Sequence, residues 1–173
     1  PPLVNANYLL PEEGTELYTS ETAEVKAAIE NYGISSYRIL EKGGFYYVVF
    51  GLFGTDSDAC APNSGMILLD PAVVAQEIVN TATAECVSLY GERPIVIALS
   101  HCGTSGGQGE DYELAEKVIG IDLIVSGHTH TTLREPLLVN GTYTEITSAG
   151  EIDVGLSKPT QLCAEKVGRS AKL

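Results

Sequence analysis

The chain has 173 residues, of which 44% are hydrophobic and 19% charged, so it can fill the core of one ordinary domain and is not a disordered polypeptide. Its formal net charge of −13 argues against nucleic acid or an anionic membrane as the main partner. No apolar run approaches the roughly 20 residues that a membrane-spanning helix requires.

The first third of the chain is predicted to hold one helix and one β-hairpin. A Thr-Ser-Glu start followed by apolar residues at helical spacing predicts a helix over residues 19–32. Residues 37–40 and 45–53 are predicted as the strands of a hairpin, because a Gly-Gly pair separates them. The second strand is apolar on both faces, which is typical of a buried strand. The polar residues 55–65 that follow are predicted as a loop.

The middle of the chain alternates between strands and helices. An Asp-Pro entry predicts a helix that begins at Pro71 and ends before Gly91. Residues 94–99 and 121–125 are continuous apolar runs typical of buried parallel strands, and a short helix is predicted between them over 110–119. This alternation predicts an α/β layered fold, in which chemistry collects on loops at the carboxyl ends of the strands.

The C-terminal part is predicted to form hairpins and then a basic tail. An Asn-Gly turn joins predicted strands at 137–139 and 142–147, and a last strand is plausible at 154–157. Residues 1–157 therefore form the predicted domain, and 158–173 form a basic tail or linker. The four cysteines, Cys60, Cys86, Cys102 and Cys163, lack metal-finger spacing, and sequence does not choose among their three possible pairings.

All three histidines of the chain follow the two predicted central strands. His101 comes after the strand at 94–99, and His128 and His130 come after the strand at 121–125. Because neighbouring parallel strands end at the same edge of a sheet, we expect these imidazoles to meet there as ligands of a divalent metal such as Zn, Mn, Fe, Co or Ni. The alternative interpretation is that they are hydrogen-bonded structural residues. Gly103 and Gly127 let the backbone bend or approach closely beside them.

Other polar residues favour structural interpretations. Asp56 and Asp58 lie in a glycine-flanked loop, where turn formation is a better explanation than cation binding. Asp122 is interpreted as a strand-edge cap, and Cys102 lacks a visible base that would make it a nucleophile. The acidic residues of the helix at 110–119 are interpreted as a solvated face that benefits from the helix dipole; they are Glu110, Asp111, Glu113 and Glu116.

Two motifs resemble the calcineurin-like metallophosphoesterase superfamily. The segment Ser100-His101-Cys102-Gly103 resembles its Ser-His-x-Gly element, and Gly127-His128-Thr129-His130 resembles its Gly-His-x-His element. Supporting segments near residues 4–8, 37–51 and 148–156 follow the family's order, so the resemblance covers roughly residues 3–157. It is closest to the branch of 5′-nucleotidases, 2′,3′-cyclic-nucleotide phosphodiesterases and UDP-sugar hydrolases.

The resemblance implies a layered α-β-β-α sandwich and a two-metal hydrolase that uses water activated by the ions. It implies that His101 and His128 bind the second metal and that His130 binds the first. The family's Asp-x-His, Gly-Asp and Gly-Asn-His motifs, which supply the other ligands, are absent from this sequence. We therefore expect a fold that is incomplete at its N-terminal side: the C-terminal part of a catalytic domain, holding two ions when complete and zero or one alone.

The implied substrate is a phosphorylated small molecule, in the first place a nucleotide. The acidic net charge and the lack of a long apolar run argue against a nucleic acid partner and a membrane span in this chain. The implied partners are the missing N-terminal segment and a C-terminal nucleotide-binding domain of the parent protein. The resemblance alone implies an extracellular, periplasmic or wall-associated location. Two alternatives remain open: a non-catalytic module of the same fold that binds at most one ion through the three histidines, and a hydrolase of sulfur compounds on the same scaffold.

Overall fold

A computed structural model describes residues 2–139 and, for the backbone alone, residues 144–148. The eight strands of these residues are β1 (Tyr8–Leu9), β2 (Tyr37–Lys42), β3 (Phe45–Phe53), β4 (Ile67–Leu68), β5 (Ile95–His101), β6 (Leu123–Ser126), β7 (Leu137–Val139) and β8 (Thr144–Ser148). The four helices are α1 (Ser20–Tyr32), α2 (Thr55–Ala59), α3 (Pro71–Tyr90) and α4 (Glu110–Lys117). None of the described helices is long and apolar enough to cross a membrane.

Six strands form one mixed sheet in the order β2-β3-β5-β6-β8-β7. The four inner strands run parallel to their neighbours, and β2 and β7 pair antiparallel at the two edges. The remaining strands, β1 and β4, form a small antiparallel ribbon. The α/β fold is thus confirmed, with β5 and β6 as adjacent parallel strands at the centre, as their apolar sequences predict.

One face of the sheet is covered by helices α3 and α4. Asp70 caps α3 by accepting hydrogen bonds from the backbone N–H groups of Ala72 and Val73, at 2.8 and 3.0 Å. The packed side chains of this face form the core: Val48, Phe50, Val96, Ala98 and Ile124 from the sheet, and Ala75, Ile78, Ala82, Leu114 and Ala115 from the helices. Cys86 of α3 is also fully buried.

The opposite face carries the alternate residues of the same strands. On β5 these are Ile97, Leu99 and His101, and Leu99 remains 44% exposed although its strand lies inside the sheet. The N-terminal segment crosses part of this face: the backbone carbonyl of Gly51 accepts the Ala6 N–H at 2.9 Å. A groove of about 490 Å³ lies between that segment and the ends of β5 and β6.

The structure differs from the sequence prediction at several points. The predicted loop at 55–65 contains helix α2, which is too short to show helical periodicity. Strand β5 extends two residues beyond its apolar run, so that His101 is its last residue and pairs with Phe53 of β3. Helix α1 is present as predicted, but Thr22 is its only buried residue.

Several predictions lie outside the described residues. They concern the Asn140-Gly141 turn, the strand at 154–157, the tail at 158–173 and Cys163. The domain boundary at 157 therefore stays a prediction. Cys60 and Cys102 form no disulfide with any other described residue.

Candidate metal centre

The three histidines lie at the carboxyl ends of β5 and β6. His101 is the last residue of β5, and His128 and His130 belong to the loop that follows β6. The Gly127 N–H donates to the Ser100 carbonyl at 2.8 Å, which joins the end of β5 to the start of that loop. The parallel pairing of the two strands therefore brings the two histidine motifs to one edge of the sheet.

The rings of His101 and His128 are in contact. Their centroids are 5.1 Å apart at an interplanar angle of 66°, and the ring of Phe53 stacks on His101 at 5.5 Å. His101 is exposed by surface area, but partial desolvation lowers its pKa, and the proximity of His128 and His130 lowers it further. The neutral imidazole, which is the form that binds a metal, is thereby favoured at this position.

A carboxylate also reaches this pair. Oδ2 of Asp56 lies 2.9 Å from Nε2 of His128, across 72 positions of sequence. The His128 side chain is 16% exposed and that of Asp56 is 77% exposed, so the contact sits at the rim of the site. The interpretation of Asp56 as a turn residue missed this contact, which depends on the placement of α2.

The loop that carries His128 and His130 is held in an unusual conformation. Both residues have positive φ values, 71° and 53°, and they are the only described residues other than glycine that do. Such left-handed residues are uncommon and cluster at functional sites. Gly127 contributes by close approach, since a Cβ there would lie 3.1 Å from Nδ1 of His101.

Helix α2 is fixed to α4 by two contacts and to the end of β5 by a third. The Glu110 carboxylate accepts the backbone N–H groups of Thr55 and Asp56, at 2.8 and 3.2 Å. The Ser57 hydroxyl donates to the His101 carbonyl. A Cβ on Gly54 would lie 2.5 Å from the backbone Cα of Cys102 and 2.2 Å from Oε2 of Glu110, so the close approach requires glycine. Glu110 is therefore not a purely solvated helix residue, as the sequence suggested, but a cap for α2.

Asp111 is the second residue of α4 whose role differs from the solvated one predicted from the sequence. It is fully buried, and its Oδ2 accepts the Gly103 N–H at 3.0 Å and the Ser126 hydroxyl at 2.5 Å. Its Oδ1 has no hydrogen-bond partner among the described residues. Burial raises the pKa of this carboxyl, although hydrogen bonds oppose the shift. One carboxylate thus joins the segment after His101 to the segment before His128.

The same sequence is similar to proteins that act on nucleotide phosphates. The trifunctional nucleotide phosphoesterase protein YfkN of Bacillus subtilis is 37% identical over 111 residues, which are 62% of this chain and 7% of that protein. The chain is therefore similar to calcineurin-like phosphoesterases of the 5′-nucleotidase branch. No family model matches it.

Solved structures of calcineurin-like phosphoesterases and their neighbours share the fold. The sulfate thiohydrolase SoxB of Thermus thermophilus has a TM-score of 0.60 and 27% identity, over 87% of this chain and 23% of that one. A 5′-nucleotidase precursor of the same species has a TM-score of 0.61 at 23% identity, over 87% of this chain and 28% of that one. The chain thus spans less than a third of the length of these relatives.

The residues present fit part of a calcineurin-like metal centre. Two touching imidazoles are suitable donors for borderline divalent ions, and the neutral form of His101 is favoured by its surroundings. Within the described residues, however, no group of three or more His, Cys, Asp or Glu side chains is arranged to hold an ion. His130 is exposed and shares the loop with His128. The ligand roles of the three histidines stay a prediction.

Two further residues have the structural roles that the sequence favoured. Asp122 accepts the Val96 N–H at 2.8 Å and pairs with Arg93 at 3.0 Å, away from the histidines. Burial raises the pKa of the Cys102 thiol to about 12, which disfavours the reactive thiolate at neutral pH.

Proposed function

We propose that this chain supplies part of the active site of a two-metal phosphoesterase that hydrolyses phosphate mono- or diesters of nucleotides. The observation that carries the proposal is the contact between His101 and His128 at the ends of two parallel strands, in a chain 37% identical over 111 residues to a nucleotide phosphoesterase. Under this proposal His101 and His128 hold the second ion and His130 the first.

Under this proposal the residues of the chain hold the metal-binding imidazoles in place and do not transfer protons. Two divalent ions, when bound, supply positive charge to phosphoryl oxygens and make water a nucleophile at neutral pH. Phe53 stacks on the ring of His101 and restricts its rotation, while the contact with Asp56 restricts His128. Both imidazoles act in their neutral form, so binding weakens as they become protonated.

Three imidazoles provide no negative charge, whereas two divalent ions bring four positive charges to one place. Carboxylate ligands are needed to balance that charge, and the described residues contain no complete ligand group. We propose that further polypeptide of the parent protein packs on the sheet face that exposes Leu99 and supplies these carboxylates. The isolated chain is then inactive.

Metal stoichiometry tests the proposal. The purified chain is loaded with Mn²⁺, dialysed and measured by native mass spectrometry, beside a variant in which His101, His128 and His130 are all replaced by alanine. We expect zero or one ion to survive dialysis on the wild type and none on the variant. Two retained ions would contradict the proposal that the chain lacks ligands.

The non-catalytic alternative has one observation in its favour, namely the absence of a complete ligand group among the described residues. The reading frame upstream of Pro1 separates the two functions. Codons for Asp-x-His, Gly-Asp and Gly-Asn-His motifs there support the phosphoesterase, and the protein that contains them is expected to hydrolyse nucleotide phosphates. An upstream sequence without these motifs supports the non-catalytic module. Hydrolysis of sulfur esters in place of phosphate esters would favour the thiohydrolase chemistry named for the T. thermophilus relative.

We also propose an exported location, and a nucleotide-binding domain elsewhere in the parent protein. Both rest on the family resemblance. Fractionation of cells that express the parent protein, followed by immunoblotting, tests the location, and a signal confined to the cytoplasmic fraction would contradict it.

A further inference from the structure

The ring of His128 has one nitrogen already engaged. Its Nε2 lies 2.9 Å from Oδ2 of Asp56, and a carboxylate at neutral pH only accepts hydrogen bonds. A neutral imidazole has one N–H donor and one acceptor nitrogen, so this pairing requires the proton on Nε2. The lone pair that remains for other partners is then on Nδ1.

The position of Asp56 is set by its backbone rather than by packing of its side chain, which is 77% exposed. Helix α2 has only five residues, and Glu110 from α4 accepts two of its backbone N–H groups, including that of Asp56 itself. Ser57, the next residue, bonds to the carbonyl of His101. The short helix that carries the Asp56 carboxylate, which contacts His128, is therefore hydrogen-bonded to the backbone of His101.

We propose that Asp56 is the positioning residue of His128, fixing its tautomer so that Nδ1 is the nitrogen that binds a divalent cation. The cation part of this assignment rests on the proposed function. Carboxylates that accept the second N–H of a metal-binding histidine orient its ring and raise its basicity, and their loss typically weakens metal binding by 10–100-fold. Glu110 acts one step further away, because it holds the helix from which Asp56 projects.

The tautomer is measurable without any metal. Long-range ¹H–¹⁵N spectra of the metal-free chain at pH 8 report which ring nitrogen is protonated, and three histidines can be assigned with single His→Asn variants. We expect His128 in the Nε2–H form in the wild type and a mixture of tautomers in Asp56→Ala. Asp58→Ala is the matched control, since Asp58 has the same charge on the same helix and no side-chain hydrogen bond among the described residues. A wild-type Nδ1–H form, or a tautomer unchanged in Asp56→Ala, would overturn the pairing.

A Zn²⁺ titration to millimolar concentration then tests the role of Nδ1, with the ¹⁵N chemical shifts of the His128 ring as the readout. We expect the shift at Nδ1, a 10–100-fold weaker apparent affinity in Asp56→Ala, and affinities within about threefold of wild type in Asp56→Asn and Asp58→Ala. Asn keeps an oxygen that accepts the Nε2–H, so it separates positioning from ligation.

Three results would overturn the proposal in distinguishable ways. A Zn²⁺-induced ¹⁵N shift at Nε2 of His128, together with a Zn²⁺ affinity of Asp56→Asn as weak as that of Asp56→Ala, would make Asp56 itself a metal ligand. Wild-type affinity in Asp56→Ala would reduce the contact to a surface pair. An Nε2–H tautomer with no response to Zn²⁺ would keep the pairing but overturn Nδ1 as a cation ligand in this chain, whereas the proposed function fails only if the upstream motifs and the hydrolytic activity are missing from the parent protein.

Discussion

The two faces of the central sheet differ although the same strands build both. On β5, Val96 and Ala98 point to helices α3 and α4 and have no solvent exposure, whereas Leu99 on the other face is 44% exposed. The candidate metal centre is divided between the faces in the same way. His101 lies on the exposed face, and the buried Asp111 that anchors its loop lies on the covered one.

This difference separates stability from chemistry. The covered face holds the large buried side chains and therefore most of the folding free energy. The exposed face presents an imidazole, an aromatic ring and an apolar strand to whatever binds there. Substitutions on the two faces should accordingly affect different measurements, and five substitutions or conditions test how complete that separation is.

Truncation on the covered face should have the largest effect. Phe50 is fully buried in the core cluster, and Phe50→Ala is expected to lower the free energy of unfolding by about 3–5 kcal/mol, because it leaves a cavity. Chemical denaturation followed by circular dichroism measures this. A loss below 1 kcal/mol would show that the covered face does not dominate stability.

Removal of the buried carboxylate is next. Asp111→Ala leaves the Gly103 N–H and the Ser126 hydroxyl without their acceptor, at an expected loss of about 2–4 kcal/mol. The same denaturation experiment measures it, with Glu113→Ala on the exposed side of α4 as the control. Equal stabilities of the two variants would contradict the role assigned to Asp111.

The turn between β3 and α2 crosses from one face to the other. Gly54→Ala places a methyl group against Glu110 and the backbone of Cys102, so we expect a loss of about 1–3 kcal/mol from overpacking. Ala59→Gly at the end of α2 is the control, because it is a milder perturbation of the same segment. Spectral changes at His128 in Gly54→Ala, and not in Ala59→Gly, would link the turn to the site.

A pH series probes Asp111, a buried ionisable residue on the covered face. The pKa of Asp111 is raised in the folded chain, so the folded state holds this proton more tightly than the unfolded state. The stability that this group contributes is present below its unfolded pKa and is lost as the pH rises through the folded pKa. Relative to Asp111→Asn, which does not titrate, the wild type should become more stable as the pH falls from 7 to 4. Parallel curves for the two proteins would contradict a raised pKa.

Substitution on the exposed face should change stability least. Leu99→Ser is expected to alter the free energy of unfolding of the chain by less than about 1 kcal/mol, because the side chain is already half in water. If further polypeptide packs on this face, the same change in the parent protein should lower stability and activity much more. A large loss in the chain alone would show that the N-terminal segment already covers Leu99.

Sequence patterns predicted the helices and strands whose hydrophobic residues follow a regular pattern. The apolar runs before His101 and before His128 identified adjacent parallel strands, and that adjacency was enough to predict that the two imidazoles meet. The Asp70 cap was predicted from the Asp-Pro pair at the start of the helix, and the structure confirms it.

The missed features depend on contacts between distant segments. Asp56 reaches His128 across 72 positions, through a five-residue helix with too few turns to show a period. Asp111 sits among other acids in a first helical turn, which looks solvated from sequence, yet α4 turns this residue inward to bond Ser126. No local pattern distinguishes a carboxylate that caps another helix, as Glu110 does, from one in water.

The left-handed backbone at His130 has a consequence for laboratory evolution. Glycine adopts that conformation without the steric penalty that a side chain incurs, about 1–2 kcal/mol, and the exposed ring of His130 loses little packing when it is removed. If His130 binds a metal as proposed above, thermal stability and metal binding are opposed at this one residue. A library screened for thermal survival alone would be expected to discard this histidine early, so any stabilising campaign on the protein should couple each round to a catalytic or metal-binding screen.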